Sequence, residues 1–119
     1  MDKKALRKQY KETLQPMGVF KIRNKINGKI LVINSNNIPG RINRETFQLD
    51  MGSHPNTDLQ KDYREFGKDN FVFEIIDQLK PKEDPAYNYS DDLEVLEAMW
   101  LDKLQPYGDK GYNERKTTQ

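Results

Sequence analysis

The chain has 119 residues and a net charge of +1, with no cysteine and one histidine, His54. Disulfides and thiolate metal sites are therefore excluded, as is any cluster of histidine ligands or an ordinary Ser-His-Asp triad. A divalent ion would have to sit on carboxylate oxygen, which points to magnesium or manganese. No apolar run is long enough to span a membrane, and the start MDKKALRKQY lacks the apolar core of a secretory signal. We expect a cytoplasmic protein without a membrane partner. The near-zero net charge hides an asymmetry: residues 1–49 carry +8 and the remainder −7. A basic front can bind phosphates, and an acidic back can hold a metal or pair with the front.

Residues 2–14 place Leu6, Tyr10 and Leu14 four apart among Lys and Arg, the pattern of an amphipathic helix that Pro16 ends. Two apolar-rich runs follow, Val19 to Arg23 and Lys29 to Ile33, flanking Asn27-Gly28. They read as a β-hairpin with a tight turn, because both turn residues tolerate positive φ. Asn34 to Asn37 reads as a loop, and Pro39 suits a first helical turn. The helix it starts runs through Arg41, Arg44, Phe47 and Met51, to be broken at Gly52-Ser53-His54-Pro55. Asn56 or Thr57 can cap the next helix, which carries Leu59, Tyr63 and Phe66 on one face and stops at Gly67.

The run Phe71 to Ile76 is aromatic and β-branched, which favours a strand. After a Pro-containing loop, Ser90 can cap a last helix with Asp91 and Asp92 in its first turn and an apolar face through Leu93, Leu96, Trp100, Leu101 and Leu104. The order is α-β-β-α-α-β-α: an α+β fold with a small, mostly antiparallel three-stranded sheet flanked by helices. Without repeats or a linker, the chain reads as one domain: an N-terminal helix over 1–16, a body over 17–113 and a frayed tail over 114–119.

The ordered series of motifs resembles the GIY-YIG nuclease family. Gly18-Val19-Phe20 stands for its first motif and Leu31-Val32-Ile33 for its second. Arg41 and Arg44, His54-Pro55-Asn56, Leu59-Gln60-Lys61-Asp62-Tyr63, Phe71-Val72-Phe73-Glu74-Ile75, Glu97-Ala98-Met99-Trp100 and Gly111-Tyr112-Asn113 follow in the family's order. The resemblance implies metal-dependent cleavage of a DNA phosphodiester. It puts the metal-binding glutamate at Glu97 and the phosphate-neutralising arginine at Arg41 or Arg44. A site asparagine falls on Asn113. The family's two motif tyrosines fall on Phe20 and Leu31, its motif glycine on Ile33, and its histidine after the arginine on Glu45.

Phenylalanine and leucine cannot accept a proton or donate a hydrogen bond. Loss of a general base typically costs roughly 10²–10⁴ in rate. Ile33 fills space that glycine leaves to a substrate. Glu45 could serve as a base, at the expense of negative charge beside a phosphate. Leu31 and Ile33 share a strand face that Phe20 can join, an apolar floor suited to a base, a nucleotide or a protein side chain.

Three functions follow as expectations. The leading one is a degenerate GIY-YIG-like domain with lost or strongly reduced nuclease activity. It would retain binding to nucleic acid, a nucleotide-like ligand or a protein through Phe20, Lys21, Arg23, Lys29, Leu31, Arg41 and Arg44. The second is an active magnesium- or manganese-dependent endonuclease using Arg41, Arg44, Glu45, Asn113 and Glu97. The third is an inhibitory or regulatory interaction protein of phage or mobile-element origin.

Overall fold

A computed structural model describes residues 14–115, and the expected helix over 2–14 lies outside this range, apart from Leu14. Three strands, β1 (Gly18–Asn24), β2 (Ile30–Ser35) and β3 (Phe71–Gln78), form one sheet of order β2-β1-β3. Both pairings are antiparallel. The helices are α1 (Ile38–Met51), α2 (Thr57–Phe66) and α3 (Ser90–Leu104). The α+β class and the strand count match the sequence expectation.

The alternation of β1 and β2 sorts side chains onto two faces. Phe20 faces Ile33 across the pair, and Ile22 faces Leu31. These four join Ile38 and Leu49 of α1, Leu59 and Tyr63 of α2, Phe71 and Tyr112 in one apolar core. Full burial of a side chain such as Phe20 contributes roughly 1.5–3 kcal/mol. Val19, Val32 and Leu93 are buried but stand apart from that core, on the face where α3 crosses β2 and β1. Trp100 of α3 is only half-buried, and its indole N–H donates to Asp77 Oδ2 at 3.1 Å.

Two backbone sites fix the local geometry, one in the sheet and one at a helix end. Between Val19 and Phe20 the β1–β3 register slips, so that Val19 faces Asp77 while Phe20 faces Ile75. Just before that bulge, Gly18 has φ +152°, and a Cβ there would lie 2.1 Å from the Asp77 carbonyl oxygen. At the end of α1, Gly52 takes the left-handed conformation, φ 74°, and returns its N–H to the last turn. That is the usual route for satisfying terminal carbonyls.

Four local expectations need correction. The hairpin connection is not a two-residue Asn27-Gly28 turn but runs from Lys25 to Lys29, and only Gly28 has positive φ, 77°. The buried Asn24 accounts for this: its Oδ1 accepts the Ile26 N–H, while its carbonyl accepts the Gly28 N–H at 2.9 Å. β2 continues to Ser35 because Asn34 and Ser35 pair with Val19 and Gly18. β3 likewise continues to Gln78, paired with Gly18. Ser90 does not cap α3; Tyr89 occupies the cap position without a side-chain bond, and Asn88 Oδ1 accepts the Ser90 N–H. Asn37 and Asn56 cap α1 and α2 through their side chains, accepting from Gly40 and Leu59.

The segment after α3 returns to the sheet. Gly111 forms a parallel bridge with Ile30, and the Tyr112 N–H donates to the Ile30 carbonyl at 2.8 Å. Asn113 extends this pairing with its side chain, accepting the Val32 N–H at 2.8 Å and donating to the Val32 carbonyl at 3.0 Å. The Ile30 carbonyl and both backbone groups of Val32 on the outer edge of β2, which would otherwise be bare, are thereby satisfied.

Candidate functional site

On the α1 side of the β2 edge lies a cleft of about 330 Å³, lined by Leu31, Ile33, Arg41, Arg44, Glu45 and His54, among others. Arg41, Arg44 and Glu45 share one helix at three- and four-residue spacing and therefore one face. Glu45 and His54 are both buried. Glu45 Oε1 lies 2.9 Å from His54 Nε2, and Glu45 Oε2 accepts from Arg41 Nε at 3.4 Å. The other ring nitrogen, Nδ1, accepts the backbone N–H of Asn56 at 3.0 Å. That bond assigns the proton to Nε2, which donates it to the carboxylate.

Burial pushes the Glu45 carboxyl up, but the hydrogen bond from His54 and the attraction of Arg41 outweigh it, and the net pKa is lowered. Glu45 is thus a carboxylate with both oxygens engaged. The negative charge foreseen beside a phosphate is met by the Arg41 guanidinium and by the hydrogen bond from His54.

The turn holding His54 is braced from several sides. Its backbone N–H donates to Gln60 Oε1 at 3.0 Å, and Gln60 Nε2 donates to the Leu49 carbonyl at 3.1 Å. Asn56 Nδ2 donates to the Tyr112 carbonyl at 2.8 Å. Bonds therefore run from Arg41 through Glu45, His54 and Asn56 to the segment that carries Asn113. Arg44 is exposed and has no hydrogen bond or ion pair among the described residues.

The remaining sequence candidates lie elsewhere. Phe20 is fully buried beneath the sheet face and does not line the cleft. Lys21 and Arg23 alternate to the opposite face, where Arg23 pairs with Glu74 at 2.7 Å. Lys29 sits over the Tyr112 ring, 5.1 Å from its centroid. Glu97 accepts a hydrogen bond from Asn34 Nδ2. Asn34 follows Ile33 in β2 and points to the other face, so Glu97 approaches the β2 edge from the α3 side while the cleft opens on the α1 side. Asn113 holds the edge between them.

Among the described residues no group of three or more His, Cys, Asp or Glu is placed to hold a metal, and no helix is long and apolar enough to cross a membrane. His54 was not among the site candidates drawn from the sequence, although it is the sole histidine and stands in a turn that the family resemblance picks out. Asn34, the partner of Glu97, had no such signal.

No protein-family model and no curated protein matches this chain. Among solved structures, the catalytic domain of the intron endonuclease I-TevI, in a mutant form, is similar over 87% of this chain and 98% of its own, with TM-score 0.69 and 22% identity. A second structure of the catalytic domain of the homing endonuclease I-TevI covers 84% of this chain and 99% of its own, again at TM-score 0.69 and 22% identity. At this identity the likeness establishes the architecture: the chain has a GIY-YIG-like fold.

Proposed function

We propose that this GIY-YIG-like domain binds nucleic acid and has lost, or strongly reduced, the phosphodiester hydrolysis of the fold's nucleases. The observation that carries this reading is the pair Leu31 and Ile33 on the wall of a cleft flanked by Arg41 and Arg44. Where the family resemblance expects a hydroxyl and an open glycine, the cleft floor carries two apolar side chains that are themselves buried. Such a floor cannot orient water, while the exposed Pro55 beside it gives a base or sugar something apolar to rest on. The groups best suited to take a proton are occupied: both Glu45 oxygens are engaged, and so are both His54 nitrogens. Arg44, exposed and unpaired among the described residues, is free to meet a phosphate, and Arg41 presents the rest of its guanidinium beside it.

The test is fluorescence anisotropy with labelled single-stranded and duplex DNA across a salt series. Saturable binding that weakens with salt, and that Arg44→Ala weakens further, supports the reading. A flat salt response points instead to a protein or small-ligand partner.

A second reading, an active metal-dependent endonuclease, is favoured by the hydrogen-bonded chain Arg41–Glu45–His54 beside the cleft and by Glu97 at the same strand edge. One carboxylate suits a magnesium or manganese ion that keeps most of its water. Glu97 is the residue that would hold it, and the bound ion would supply neutralisation of phosphate charge. Arg41 would orient the phosphate, and the Asn113 amide would hold β2 in place beneath it. Plasmid nicking in magnesium or manganese that Glu97→Ala abolishes would establish this second reading over the first.

A further inference from the structure

The cleft is not isolated. A second concavity of about 550 Å³ lies between the end of α1 and α2, lined by Gly52, His54, Lys61 and Arg64 among others. His54 belongs to the walls of both. Each helix therefore presents two cations at i, i+3 spacing to the same path: Arg41 and Arg44 from α1, Lys61 and Arg64 from α2. Lys61 is exposed and forms no ion pair or hydrogen bond among the described residues. Arg64 is bonded only to a backbone carbonyl, that of Gly52, at 3.2 Å. Neither has a carboxylate within ion-pairing distance among the described residues, unlike Arg23, Arg41 and Lys68. Glu114 at the cleft and Glu65 at the groove are exposed acids facing the path, and Glu45 is paired with Arg41 and hydrogen-bonded by His54.

We propose that the two concavities form one track for a single nucleic-acid strand. One nucleotide would sit in the cleft and the phosphates of its neighbours would cross the 52–56 turn onto Lys61 and Arg64. This rests on the nucleic-acid-binding reading above and adds the strand's path and its single-stranded state. The surface argues for a single strand on two counts. The exposed Pro55, above the buried floor of Leu31 and Ile33, offers apolar surface to an unstacked base, which a duplex does not present. A track that bends over a turn between two concavities suits a flexible strand, whereas a duplex is stiff over roughly 150 base pairs.

The experiment titrates the protein with a fluorescein-labelled 12-nucleotide oligothymidine and with a 12-base-pair duplex, from low to physiological salt. Wild type is expected to bind the single strand more tightly. Lys61→Ala/Arg64→Ala should lose about tenfold or more in affinity at low salt. Its log–log salt slope should be shallower by about 1.4, since each phosphate contact to a single strand contributes about 0.7. Lys61→Ala alone, at a partner-free exposed site, should lose about half of that slope change, and circular dichroism checks that both variants fold. Lys103→Ala, whose ammonium sits over Trp100 on α3, should leave binding unchanged.

If the double variant keeps the wild-type slope while Arg44→Ala weakens binding, the track is refuted and the cleft reading survives. Tighter binding of duplex than of single strand refutes the single-strand assignment. Absence of binding to either probe at low salt removes the track and the function it rests on together.

Discussion

Glu45 of α1 and His54 of the following turn form a buried pair 2.9 Å apart, and Arg41 completes it on the second carboxylate oxygen at 3.4 Å. Removing the carboxylate leaves the buried His54 N–H without an acceptor and Arg41 without its counter-ion, at roughly 1–3 kcal/mol. Glu45→Ala should therefore lower stability by about that amount in urea melts. Glu45→Gln keeps an acceptor for His54 and should cost less. The net lowering of the Glu45 pKa in the folded state fixes the pH sense. Its contribution is complete above the unfolded carboxylate pKa and is lost as pH falls through the lower folded value. Wild type should therefore lose stability through this acidic window, and Glu45→Gln should lack that component. Identical acid profiles for the two proteins would contradict it.

Tyr112 predicts the opposite limb. Its hydroxyl donates to Asp62 Oδ2 at 2.7 Å and accepts from Asn24 Nδ2 at 3.1 Å. Burial first, and then the hydrogen bond to Asp62, push its pKa up to about 12 from 10.0. The stability this represents is intact below the unfolded value and disappears as pH rises through the folded one. Thermal melts of wild type should fall between about pH 10 and pH 12. Tyr112→Phe should start lower by about 1–3 kcal/mol, because Asn24 and Asp62 lose their partner, and should show a smaller alkaline decline.

Phe20→Tyr should not recover nuclease chemistry on its own. Phe20 is fully buried among apolar side chains, and a hydroxyl added there would enter without a partner. We expect a loss of roughly 1–3 kcal/mol in chemical denaturation and unchanged nicking of supercoiled plasmid. Nicking gained by this single change would show that the hydroxyl reaches solvent.

Asn113 closes the β2 edge by answering both backbone groups of Val32. Asn113→Ala leaves a donor and an acceptor unpaired, and about 1–3 kcal/mol is expected per group that water cannot reach. Hydrogen exchange at the Val32 amide should accelerate markedly. Asn113→Asp keeps the acceptor, so that amide should remain protected while overall stability still drops.

Gly18→Ala tests the bulge. The added Cβ would lie 2.1 Å from the Asp77 carbonyl oxygen, a backbone atom that cannot swing aside, and φ of +152° disfavours any side chain. Loss of the cooperative urea transition, or a drop of about 3 kcal/mol or more, is expected.

Local chemistry was enough to mark most elements. Gly52 and Gly67 stop α1 and α2, Asn56 starts α2, and the β-branched run at Phe71 makes β3, because caps, φ preferences and alternation act over a few residues. The shared face of Leu31 and Ile33 was also legible, since strand period alone dictates it. Local signals were insufficient where a distant group intervenes. The hairpin loop departs from a tight turn where the buried Asn24 holds it, its amide also reaching Tyr112 far along the chain.

The site divides in the same way. The resemblance of the ordered motifs to the GIY-YIG family marked Arg41, Arg44, Glu45 and Glu97 among its candidates. Only packing decided that Phe20 is sealed in the core, that Glu45 is bound to His54 and Arg41, and that Glu97 meets Asn34 on the far side of the strand edge. These outcomes depend on which buried groups are left to satisfy one another once α1, the 52–56 turn and the sheet are brought together. The pattern along the chain does not carry that information.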